Sequence, residues 1–113
     1  MRPIAVFTTI GNLEQARGLA RALVERGLAA CAQLSQIESF YVWDGALQQD
    51  PEVRIVLKTT DDLYDEVEKA LRELHPYELP AIHAVALDRV HEPYAQWVIE
   101  GTAAGRQGAA AAV

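Results

Sequence analysis

Five side chains carry the chemistry this sequence can offer: Cys31, Glu52, Lys58, His75 and Tyr77. Cys31 is the single cysteine. It can serve as a soft ligand or, among Ala29, Ala30 and Ala32, as a small buried hydrophobe. Lys58 stands beside Thr59 and Thr60 where a helix is expected to begin, and a lysine at a helix start can hold an anion. The competing role for Lys58 is a solvated strand-end charge, or a pair with Glu52 or Glu78. His75 directly precedes Pro76, so its imidazolium can favour a helix C-terminus. As a metal candidate it needs partners, and His83, His91 and Glu78 are the nearest in sequence. Trp43, Tyr77 and Trp97 suit interface packing, where aromatic residues are enriched.

These residues sit in a chain of 113 residues with a formal net charge of −6. That length suits one domain. The negative charge and the lack of a Lys/Arg cluster argue against a nucleic-acid partner. One cysteine gives no intramolecular disulfide and no CxxC pair, as a reducing cytoplasm would allow. No apolar run approaches the roughly 20 residues that span a bilayer, and Met1-Arg2-Pro3-Ile4 enters a strand pattern with no signal-peptide core. A soluble, cytoplasmic protein is expected. Walker, GxGxxG, HExxH and nucleophile-elbow patterns are absent.

The elements that must position the candidates follow from periodicity. Ile4 to Thr8 reads as a strand ending at a Thr9-Ile10-Gly11 turn. Asn12 caps a helix whose apolar face is Leu13, Ala16, Leu19, Ala20, Leu23 and Val24, and Gly27 stops it. A second strand runs from Leu28 to Ser35 and on toward Tyr41 and Trp43. Asp44-Gly45 marks a hairpin, and the return strand is expected over Glu52 to Thr60. Asp61 or Asp62 should cap a second helix with Leu63, Val67, Ala70, Leu71 and Leu74 inward, ended by Pro76. Ala81 to Leu87 is the fourth strand, and Pro93 opens a last short helix. This β-α-β-β-α-β order predicts an α+β, ferredoxin-like antiparallel sheet with an extra C-terminal helix. Residues 1–100 form the domain, and 101–113 a Gly/Ala-rich tail.

The second face of that sheet is too apolar for solvent. Ala5 and Phe7 share one face of the first strand, and Val85 and Leu87 one face of the fourth. Oligomerisation, or the C-terminal segment folding across, should cover them. The segment Ser39 to Trp43, with Ala46 and Leu47, outruns a four-stranded sheet of this size, and an aromatic hairpin reaching a neighbour's edge would satisfy it.

Several functions that use such a fold fail on the residues. A soft-metal chaperone needs paired cysteines after strand one, where Thr8 to Asn12 has none. An RNA-recognition sheet needs stacking aromatics where Val53 to Lys58 stands. An acylphosphatase-like hydrolase needs an arginine in the loop after strand one, and Arg17 lies mid-helix.

An ordered set of motifs remains: Leu28-Ala29-Ala30-Cys31, Tyr41-Val42-Trp43-Asp44-Gly45, Lys58-Thr59-Thr60, His75-Pro76-Tyr77-Glu78-Leu79-Pro80, then Tyr94 and Trp97. Over about residues 4 to 98 this set closely resembles the CutA (divalent-cation-tolerance) family. The resemblance implies a tight homotrimer similar in architecture to PII signalling proteins, with clefts between subunits. It also implies a role in the response to metal ions with divalent copper as candidate ligand, and no conventional enzymatic activity. Copper ligation in the family is associated with a cysteine ending strand one and histidines just before the Pro-Tyr pair. Here those positions hold Thr8, Leu74 and His75, and only His75 matches. Cys31, Glu52, Lys58, Tyr77 and Trp43 are the ligand-cleft candidates that the resemblance suggests. The rival functions are a PII-like regulatory module holding a small anionic ligand at the clefts, and an enzyme using Lys58 and Glu52 as an acid–base pair.

Overall fold

Alternation along the first strand sets the middle of the sheet. In the computed structural model, which describes residues 1–103, β1 spans Pro3–Ile10. It pairs antiparallel with β3 (Ala46–Thr60) on one side and with β4 (Ile82–Ala86) on the other. β2 (Cys31–Trp43) pairs with β3, giving the order β2-β3-β1-β4. Ile4, Val6, Ile10, Val53, Ile55 and Leu57 point to one face and form the core there.

Two helices close that face. α1 (Leu13–Glu25) starts where the Asn12 side chain accepts the Gln15 N–H at 2.8 Å. It ends in a Schellman turn: Leu28 N–H reaches the Leu23 carbonyl and Gly27 N–H the Val24 carbonyl, both at 3.0 Å, with Gly27 at φ +72°. Leu19 and Leu23 of α1 and Val67 and Leu71 of α2 (Tyr64–Leu74) are buried against the sheet. Burial of each such side chain stabilises by about 1.5–3 kcal/mol.

Several boundaries differ from the sequence expectation. β1 runs through the expected Thr9-Ile10 turn, because Thr9 and Ile10 still pair with Arg54 and Val53. β3 begins at Ala46 and not at Glu52, since its ladder with β2 continues unbroken to the Trp43–Ala46 pair. Pro51 is tolerated there because β1 pairs only as far as Val53, so no neighbour needs its missing N–H. Neither Asp61 nor Asp62 caps α2. A 3-10 turn at Asp61–Leu63 precedes it, and the Asp61 carboxylate instead accepts the Arg2 N–H at 2.9 Å. Leu74 is 40 % exposed and lies off the buried face.

α3 (Glu92–Gly101) covers one end of the opposite sheet face, over Ala5 and near Cys31 and Lys58. Its C-terminus is anchored through residues at the start of the segment read as tail. Thr102 is buried, and Ala103 N–H donates to the Gly27 carbonyl at 2.7 Å. Residues 104–113 of that segment lie outside the described part of the chain. Among the described residues no helix lies over the rest of the opposite face, with Phe7, Val56 and Val85, and the β2–β3 hairpin projects as an arm, so that the described chain with its arm measures 55 × 27 × 22 Å.

Gly101 makes the α3 anchor testable. A Cβ added there would sit 2.6 Å from the Ala30 Cβ and 3.1 Å from the Ala30 Cα. Helix propensity favours alanine by about 1 kcal/mol, but forced overpacking costs about 1–3 kcal/mol. Gly101→Ala is therefore expected to lower the thermal midpoint, read by calorimetry, and a raised midpoint would show that α3 is not held this way.

Candidate functional site

The hairpin turn decides which side chains meet. Asp44 and Gly45 both take positive φ, +56° and +78°, the geometry of a two-residue turn matched to strand twist. Every pair below the turn follows from it: Trp43 faces Ala46, Tyr41 faces Gln48, Ile37 faces Glu52, and Cys31 faces Lys58. Residues facing one another share a sheet face, so Tyr41, Trp43, Asp50 and Glu52 emerge together on the face opposite the core.

The segment after α2 supplies the wall. Pro76 forces His75 out of helical conformation, to φ −79° and ψ +135°, and the chain turns back over the hairpin. His75 fixes this turn with both ring nitrogens. Its Nδ1 accepts the Tyr77 N–H at 3.1 Å, which leaves Nε2 protonated to donate to the Thr9 carbonyl at 2.7 Å. The His75 and Tyr77 rings meet at 4.7 Å between centroids. Tyr77 then reaches Glu52, its hydroxyl donating at 3.0 Å, while the Tyr41 hydroxyl donates to Asp50 at 2.7 Å.

Between hairpin and wall lies an open groove of about 410 Å³, lined by Tyr41, Trp43, Glu52, Tyr77, Glu78 and Leu79, with Thr9 at its inner end. Burial, then the Glu52 carboxylate, push the Tyr77 hydroxyl up to about 12. Tyr41 is likewise raised, chiefly by its hydrogen bond to Asp50. Both phenols therefore stay neutral at physiological pH.

Of the five ligand-cleft candidates, the fold brings Trp43, Glu52 and Tyr77 together and puts Cys31 and Lys58 elsewhere. Lys58 lies six positions along β3 from Glu52, roughly 20 Å at the rise of a strand. An acid–base pair of those two does not form within one chain. Lys58 Nζ donates to Gln33 Oε1 at 3.1 Å. The turn beyond Lys58 opens with Asp61 and Asp62, whose carboxylates oppose an anion. Cys31, a free thiol, lies against Tyr94, whose pKa is raised by burial and then by Cys31; Tyr94 stacks on Trp97 at 5.8 Å. His83 stacks on Phe7 at 5.1 Å, away from His75.

Metal ligation by His75 does not fit one chain. The residue is buried, both ring nitrogens are taken, and among the described residues no group of three His, Cys, Asp or Glu side chains comes together to hold an ion. Tyr41 and Asp50 were absent from the candidates read from the sequence. Counting outward from Asp44-Gly45 with a period of two would have found both.

Topology and site define a ferredoxin-like α+β protein that presents an aromatic, acidic groove beside a long hairpin. The chain belongs to the CutA1 family: residues 4–101 match the family model described as CutA1 divalent ion tolerance protein. It is 41 % identical to the divalent-cation tolerance protein CutA of Pyrococcus horikoshii over 99 residues, which are 88 % of this chain and 97 % of that one. Protein CutA of Homo sapiens is 39 % identical, over 87 % of this chain and 55 % of the human one. The crystal structure of CutA1 from Pyrococcus horikoshii superimposes with a TM-score of 0.85 at 40 % identity, covering 88 % of this chain and 97 % of that one. CutA1 from Oryza sativa does so with 0.87 at 30 % identity, covering 90 % and 94 %.

Two outcomes test the site. His75→Ala should destabilise the fold by about 1–3 kcal/mol through its two lost hydrogen bonds, with copper uptake in native mass spectrometry unchanged; loss of copper would return His75 to the ion. Tyr77 keeps its proton in the folded chain after the unfolded chain loses it, so its contribution to stability is complete below pH 10 and falls as pH rises from 10 toward about 12. In alkaline titration at 295 nm the highest-pKa phenol should vanish in Tyr77→Phe.

Proposed function

We propose that this chain acts as a homotrimer in the tolerance of divalent metal ions, through assembly and ligand binding and not through catalysis. Membership of the CutA1 family, and relatives named for divalent-cation tolerance, support the metal-ion role. Divalent copper is the candidate ion that the family resemblance carries. Since the described residues of one chain offer it no closed ligand set, a copper site would have to draw ligands from more than one subunit.

The observation that carries the trimer is the uncovered arm. Phe40 is 60 % exposed, Val42 68 %, Trp43 56 % and Leu47 72 %. Phe40, Val42 and Leu47 project from one face of the hairpin and Tyr41 and Trp43 from the other. An arm apolar on both faces is a surface for other copies of the chain. The open part of the outer sheet face, with Val85 exposed, and the neighbouring α3, with Trp97 exposed, form a second contact region.

Catalysis is disfavoured because Lys58 and Glu52, the one acid–base pair considered, stand apart on β3. A nucleic-acid partner is disfavoured by the net charge of −6. Among the described residues no helix is long and apolar enough to cross a membrane. The single free thiol suits the cytoplasm, although the relative from Archaeoglobus fulgidus is described as periplasmic.

Sedimentation equilibrium at micromolar concentration should give three times the 12.4 kDa chain mass. Val42→Asp with Leu47→Asp, both exposed in one chain, should weaken association at least tenfold while leaving the far-ultraviolet dichroism of the subunit intact. A monomer in the unaltered protein would sink the assembly.

A further inference from the structure

We propose that the groove between the hairpin and the Tyr77–Leu79 wall is a binding site for an organic cation, an alkylammonium or guanidinium group. Its lining discriminates among ligand classes. Three aromatic rings, from Tyr41, Trp43 and Tyr77, and two carboxylates, from Glu52 and Glu78, line it, and among the described residues no Lys, Arg or His side chain does. Asp50 adds a third negative charge two pairing steps along the arm, held by the Tyr41 hydroxyl.

An anion meets two carboxylates in the lining and a third at Asp50, while Arg54, on the same strand face opposite Thr9, is not among the lining residues. A wholly apolar ligand would desolvate Glu52 and Glu78 without compensation. A bare divalent ion needs about four to six close ligands, and among the described residues no three-ligand cluster forms. A cationic carbon–nitrogen group satisfies every part of the lining. Ring faces attract it within about 6 Å, a carboxylate pairs with its N–H donors, and the volume of about 410 Å³ falls in the range of small-molecule sites.

The hydrogen bonds within the groove pre-organise it. Glu52 accepts from Tyr77 through Oε2, so its second oxygen stays available to a ligand, and the same bond holds the Tyr77 ring against the hairpin. His75 holds the backbone of Tyr77 from behind. Tyr77 thus acts on the ligand with its ring, and positions Glu52 with its hydroxyl.

One chemistry could arrive from two sources: a free amine or guanidine, or a Lys or Arg side chain of a second copy of this chain. One chain supplies the whole lining, of which Tyr41 and Trp43 also belong to the arm proposed to contact other copies, so sedimentation is read beside ligand binding to report assembly separately. Trp97→Phe leaves Trp43 as the only tryptophan, and its fluorescence can be followed in the assembled protein with tetramethylammonium, arginine amide and, as the anionic control, inorganic phosphate. Saturable quenching by the two cations and not by phosphate is expected. Glu52→Gln should weaken it at least tenfold, Tyr77→Ala similarly, and Tyr77→Phe by much less. If free cations do not bind but Glu52→Gln weakens subunit association at least tenfold, the source is a side chain of a second copy. Quenching by phosphate, or free cations without effect together with unchanged association in Glu52→Gln, would overturn the site.

Discussion

The β2–β3 ladder is the constraint from which the rest of this molecule follows, and its register is set at one place. Asp44 and Gly45 turn the chain in two residues with both φ angles positive, which leaves thirteen consecutive pairs in step from Trp43–Ala46 to Cys31–Lys58. A slip of one residue would send every side chain of one strand to the other face. Leu57, Ile55 and Val53 would leave the core, and Glu52 would leave Tyr77. The same turn therefore secures both the buried half of β3 and the exposed half that carries the site.

This ladder also explains why the chain has two unlike ends. Near Cys31 and Lys58 the sheet is four strands wide and α3 lies over its outer face, burying Ala5 and Val98. Beyond Gln36 the ladder continues as two strands alone, since β1 stops pairing at Val53. Two-stranded ribbons are marginal in water without further packing. The wall that starts at Pro76 supports one face of the base of that ribbon through Tyr77 and Glu52, and its tip is left with large apolar side chains in solvent.

Histidine and tyrosine change roles between a linear and a folded view. His75 has the chemistry of a ligand, but in the fold it joins the Thr9 carbonyl to the Tyr77 N–H and behaves as a strut. Tyr77 has the chemistry of interface packing, but its hydroxyl is held on a carboxylate and its ring faces a groove. Lys58 and Glu52 share one face of one strand and still cannot cooperate within the chain, because strand geometry puts roughly 20 Å between them.

Much of the architecture was legible in the residues themselves. Periodicity, the Asn12 cap, the Gly27 stop, the Asp44-Gly45 turn and the Pro76 break are local signals, and the energy that enforces each is local too. Those signals determined the element order, the antiparallel sheet and, Leu74 apart, the inward faces of both helices. The length of β3, the 3-10 turn before α2, the anchoring of α3 past Gly101 and the separation of Cys31 from Tyr77 were decided by tertiary structure alone. Each depends on which neighbour a backbone or side chain finds across the sheet. Pro51 is acceptable only because β1 has already ended, and His75 is a strut only because the Thr9 carbonyl lies opposite its ring. Such partners stand dozens of residues apart in the chain, so no window of sequence contains both.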